Sequence, residues 1–125
     1  MLNDILLYIG AVVITSWGIA HIIPTKSIVG GFGAISEDNK RIIVMESIAE
    51  GLTLCFIGVL VLLVTSLAGS QSQAAYIMYL ACAVMLLIMA ILTAMTGART
   101  PILPYKICPI VKTAVATLFI LGSML

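Results

Sequence analysis

Four long apolar stretches, separated by three shorter polar ones, organise the chain. The first covers residues 2–23 and meets Pro24, whose ring and missing N–H stop a helix. The connection over 24–40 reads PTKSIVGGFGAISEDNK, polar and rich in glycine. Ser36 has an N-capping side chain, and Glu37 and Asp38 suit the positive end of a helix dipole. A second helix is therefore predicted over 37–67. At about 1.5 Å per residue it exceeds what a bilayer core requires, so its first turns should protrude among headgroups. GSQSQ at 69–73 predicts a tight turn, and a third helix follows over 74–96. Residues 97–108 (GARTPILPYKIC) hold two prolines and are expected to form no single regular helix. Pro109 suits the first turn of a fourth helix over 109–124.

The first stretch is not read as a signal peptide. It opens on Asn3 and Asp4 rather than basic residues, and it ends in His21-Ile22-Ile23-Pro24 rather than a small-residue cleavage site.

Composition makes these helices membrane spans. The chain is 62% hydrophobic and 9% charged, against about 25% charged in soluble domains. A small soluble protein could not cover its surface with so few polar groups, whereas lipid tails solvate apolar side chains. The expected fold is all-α: one integral membrane domain, a four-helix bundle in up-down-up-down order.

Charge orients it. Lys26, Lys40 and Arg41 flank the first connection, and Arg99, Lys106 and Lys112 lie in or beside the third. The GSQSQ turn and both ends carry no Lys or Arg. The positive-inside rule places the first and third connections in the cytoplasm and both termini outside, in a cell membrane. So few basic residues, all beside spans, argue against nucleic acid as a partner.

Glu46 and Glu50 are the most informative pair. They lie four apart on one helical face, which Thr53 and Ile57 continue. Carboxylates within a span should face protein or a watery cavity. Desolvation and mutual repulsion would favour a neutral form of one of them, suited to proton exchange or to hydrogen bonding a ligand. The alternative is that they pair with nearby cations and lock the bundle. His21, at a similar depth, shares a stripe with Gly10, Ile14 and Trp17, and reaches the glutamate face if the first two helices are antiparallel neighbours. Trp17 reads as an interface anchor or an aromatic wall. Arg99 is a candidate counter-ion for Glu46 or a headgroup contact, and Lys112 is expected to snorkel from the start of the fourth helix.

Helix two has two further faces. Ser47, Gly51, Cys55 and Gly58 form a small-residue ridge for close helix contact. Ile48, Leu52, Phe56, Val59 and Leu63 are assigned to lipid. Cys55, Cys82 and Cys108 have no zinc or thioredoxin spacing, and Cys55 and Cys82 lie in apolar runs as packing residues. Met78, Cys82, Met85 and Met89 along helix three could be soft copper ligands but read better as packing, so no metal or cofactor is expected. Gly30-Gly31-Phe32-Gly33 lacks the preceding strand of a phosphate loop, and Glu37 and Asp38 would repel phosphate; it reads as an interfacial turn.

The residues His21-x-x-Pro24-Thr25-Lys26, Gly31-Phe32-Gly33-x-Ile35-Ser36-x-Asp38-Asn39, Glu46 and Glu50-Gly51 resemble a segment of short uncharacterised four-helix membrane proteins of bacteria and archaea. This covers about a quarter of the chain. Size, four spans and the histidine-proline end of helix one are weakly similar to the DoxX-like group. The resemblance implies the architecture and carries over no functional residue. Small multidrug transporters also have four spans and an intramembrane glutamate, but in the first helix, where this chain has none.

Three functions fit these residues. The first is a binding protein or membrane-complex component, holding a lipid-like or small polar ligand among Trp17, His21, Glu46 and Glu50 in the cytoplasmic half. The second is a proton-coupled transporter of small molecules or ions, acting as a homo-oligomer. The third is an intramembrane acid–base enzyme, weakened by the lack of a nucleophile or a full metal-ligand set.

Overall fold

The computed structural model describes residues 2–125. It comprises α1 (Leu2–Ile22), α2 (Thr25–Gly30), α3 (Glu37–Leu63), α4 (Gln73–Met95) and α5 (Leu103–Met124). A π turn, Val64–Ala68, continues α3, and a 3₁₀ turn, Gly97–Arg99, follows α4. No strand occurs among the described residues. Four helices are long and apolar enough to cross a membrane, which marks the chain as a multi-pass membrane protein.

The N-caps follow from sequence. Ser36 accepts from the Asn39 N–H at 3.1 Å, and Ser72 from the Ala75 N–H at 3.1 Å. Two elements differ from expectation. The connection after Pro24 contains α2, because the Pro24 carbonyl, freed from α1, accepts from the Ile28 N–H at 2.9 Å. Helix α5 begins at Leu103 rather than Pro109. Pro104 occupies its first turn, while Pro109 sits inside the helix and cannot supply the hydrogen bond to the Tyr105 carbonyl.

Helices α1 and α3 are in backbone contact. A methyl group at Gly18 would lie 2.7 Å from the Gly51 carbonyl oxygen, and one at Gly51 2.9 Å from that of Gly18. At Gly58 it would lie 2.7 Å from the Ala11 carbonyl oxygen and collide with Thr15. The small ridge of helix two is this interface, and only glycine permits such an approach. The contacts run in opposite directions along the two helices, Gly18 with Gly51 and Thr15 with Gly58, and Thr25, just past α1, continues them to Ser47. Near the start of α1, Asp4 accepts from Ser70, which follows the π turn after α3.

Helix α5 packs on α1, with Phe119 over Gly10 and Leu7 against Gly122. Helix α4 packs along α5. Leu7, Ile14, Leu54, Val61, Leu86 and Phe119 fill the centre with no exposure. By contrast, Leu52, Phe56, Val59 and Leu63 are exposed and form a lipid-facing surface. Helices α3 and α4 are the least engaged neighbours. They meet where Thr65 of the π turn and Tyr79 share a buried 2.6 Å hydrogen bond. Toward the opposite end a groove separates them.

Candidate functional site

Each of the four spanning helices sends one polar side chain to a common point. Glu50 comes from α3, His21 from the last turn of α1, Thr93 from α4 and Lys112 from α5. Lys112 donates through Nζ to Glu50 Oε1, and its ammonium also donates to Thr93 Oγ1 at 2.9 Å. His21 Nε2 lies 3.1 Å from Glu50 Oε2. A proton on Nε2 lets the imidazole donate there. Thr93 returns its own hydroxyl proton to the Met89 carbonyl at 2.8 Å, which leaves its oxygen free to accept. Among the described residues no buried side-chain nitrogen or oxygen is left without a hydrogen-bond partner, as burial requires.

Neighbours hold the cluster in place. The His21 carbonyl accepts from Thr25 Oγ1 at 2.9 Å, and that hydroxyl lies 3.3 Å from Ser47 Oγ. The imidazole tilts 49° against the Tyr105 ring, with centroids 5.8 Å apart. Glu50 of α3 and the Tyr105 ring of α5 thus contact the imidazole itself, while Thr25 and Ser47 tie its backbone to α3.

The groove has a volume of about 740 Å³. His21, Glu50, Thr93 and Tyr105 form its polar end. Ile42, Ile43 and Glu46 line the α3 wall, Met89 and Leu92 the α4 wall. Ile42 and Leu92 are more than half exposed, so the groove opens sideways between the helices.

The structure brings together three of the residues singled out from sequence: His21, Glu46 and Glu50 all line the groove. Glu46 is exposed and, among the described residues, forms no ion pair. Trp17 does not line the groove. It packs on the apolar core and donates through Nε1 to Cys108 Sγ at 3.3 Å. Arg99, the counter-ion weighed for Glu46, is exposed on the 3₁₀ turn and pairs with no acid among the described residues.

The expectation that Lys112 snorkels is corrected. Its side chain has no exposure at all. Because α5 starts at Leu103, Lys112 lies in the third turn rather than the first, too deep to reach water. Sequence reasoning also passed over Thr93 and Tyr105. A signal for Lys112 was present: it shares a helical stripe with Cys108, Val115, Ala116 and Phe119, all buried. A lysine in the middle of a core-facing stripe needs a carboxylate, and Glu50 is the one deep in a span.

Cys82 is buried with its Sγ 3.6 Å from Met78 Sδ, and Met78 and Met89 pack against the core, whereas Met85 is exposed. Among the described residues no group of three His, Cys, Asp or Glu side chains is placed to hold a metal ion. Compared with known proteins, the chain matches no family model, no curated protein and no solved structure.

Proposed function

We propose that this is a membrane binding protein, acting alone or as a component of a membrane complex. In this reading the groove between α3 and α4 takes a lipid-like or small polar ligand from the side. The observation that carries it is the groove itself: an apolar, laterally open cleft of about 740 Å³ ending on His21, Glu50, Thr93 and Tyr105. Sites for small molecules have this make-up, apolar walls with a few convergent polar groups. The buried packing of Leu54, Leu86 and Tyr79 beyond the groove favours binding over carriage across the membrane. The positive-inside rule supports an up-down-up-down bundle in the cell membrane, with the groove in the cytoplasmic half and both termini outside.

The test is native mass spectrometry of protein extracted in mild detergent. Wild type should retain a bound amphipathic molecule, and Leu92→Trp, which fills the groove from an exposed position, should lose it with folding intact. The same set of bound molecules in both proteins refutes the proposal.

A further inference from the structure

The groove carries a charge with no partner, and this narrows the ligand. The inference rests on the groove being a binding site. Four titratable side chains line it: Glu46 and Glu50 from α3, His21 from α1, and Tyr105 from α5. No Lys or Arg does. Lys112 lies behind the polar end, fully buried, with its ammonium already shared between Glu50 and Thr93. Glu50 is held by both Lys112 and His21, so its carboxylate is already partnered. The Glu46 carboxylate is left over.

The neighbouring basic residues are directed elsewhere. Lys40 pairs with Glu37 and Arg41 with Asp38, each at 3.6 Å and within one helical turn. Arg99 and Lys106 are exposed and do not line the groove. Glu46 therefore stands in a largely apolar lining that includes Ile42, Ile43, Met89 and Leu92. The further polar groups along the two helices are only the uncharged hydroxyls of Ser47, Thr53 and Thr96. A carboxylate beside hydrocarbon favours a cation that can follow it out of water. A hydrophobic anion would meet only repulsion there.

We infer that the groove selects a lipophilic cation, with an ammonium or other onium group beside Glu46 and an apolar body along Ile42, Met89 and Leu92. Two sources share this chemistry: the amine headgroup of a membrane lipid and a free hydrophobic amine.

Equilibrium binding of radiolabelled tetraphenylphosphonium to the full chain in dodecyl maltoside tests this. Tetraphenylborate serves as the anion of matching size and shape. Wild type should bind the phosphonium saturably and the borate not at all. Glu46→Gln should weaken phosphonium binding at least tenfold, Glu46→Asp should retain it, and Leu92→Trp should abolish it. Both positions are exposed, and unchanged thermal unfolding confirms that each of the three variants is folded. If added phosphatidylethanolamine displaces the probe and phosphatidylglycerol does not, the source is an aminolipid. If neither displaces it, the ligand is a free amine. Both outcomes support a cation site. Equal affinity for the two probes, or an affinity in Glu46→Gln within twofold of wild type, overturns it. Borate binding that Leu92→Trp abolishes overturns the cation assignment but keeps the groove as a site. No probe binding, together with identical bound molecules in wild type and Leu92→Trp by mass spectrometry, overturns both readings.

Discussion

Replacing Lys112 by Met should destabilise the bundle in a way that a second substitution largely reverses. Met matches the lysine stem in length but removes the ammonium. Glu50 then loses one of its two charged or polar partners, and Thr93 loses a donor. Breaking a buried pair from one side costs about 3–5 kcal/mol, chiefly because the remaining charge is stranded. Here the lower end applies, about 3 kcal/mol, since the Glu50 side chain is 28% exposed and keeps His21 at 3.1 Å. Glu50→Gln strands a fully buried ammonium, which retains only Thr93 and a neutral amide oxygen, so its cost should be at least as large. The double variant has no stranded charge. Its loss should be about 2 kcal/mol or less, far below the sum of the singles, because isosteric neutral replacements of a buried pair are nearly neutral. Unfolding by dodecyl sulfate titration from mild micelles measures each difference. Trp17 is the single tryptophan and is bonded to Cys108 of α5, so its fluorescence reports separation of α1 from α5. Additivity of the two singles within about 0.5 kcal/mol would refute the pairing. So would a Lys112→Met protein as stable as wild type.

Three further outcomes are expected. Gly58→Val should lower stability by at least about 2 kcal/mol in the same titration, since even one methyl group there collides with Thr15 and forces α1 away from α3. Thr65→Val should cost about 1 kcal/mol, and Tyr79→Phe about the same, with the double variant no worse than either single, because both remove one shared hydrogen bond. In a background without native cysteines, an impermeant thiol reagent should label intact cells with Gln71→Cys but not those with Lys26→Cys or Lys106→Cys; labelling at 26 or 106 reverses the orientation.

Much of the helical frame was legible because its signals are local. A capping serine, an apolar run of sufficient length and a glycine ridge each act within a few residues, and Ser36 and Gly51–Gly58 do in space what their patterns suggest. The start of α5 was not legible, because Pro104 and Pro109 both satisfy the rule for a first helical turn, and only packing chooses between them. That choice moved Lys112 from the interface to the interior. Glu50 and His21 were found because charge or imidazole deep in an apolar run is conspicuous. Their partner was missed because the pairing joins positions 62 residues apart, and no periodicity reports such a distance. A cavity at His21, Glu46 and Glu50 was legible, but its opening between α3 and α4 was not, for that results from how the two helices diverge rather than from any residue.

The long chain separation of Glu50 from Lys112 also sets an order of events at the ribosome. Glu50 is synthesised 62 residues before its cationic partner. At about 5–20 residues per second, that is a delay of roughly 3–12 s. During this interval the nascent second span holds a carboxylate that hydrocarbon disfavours, with His21 of the preceding span as the one direct partner already made. Early pairing of the first two spans, through their glycine contacts, would shelter the acid until the last span arrives. Integration of these four spans is then a delayed ionic closure: α5 delivers the lysine, and the cluster becomes electrically complete only once that helix has been made.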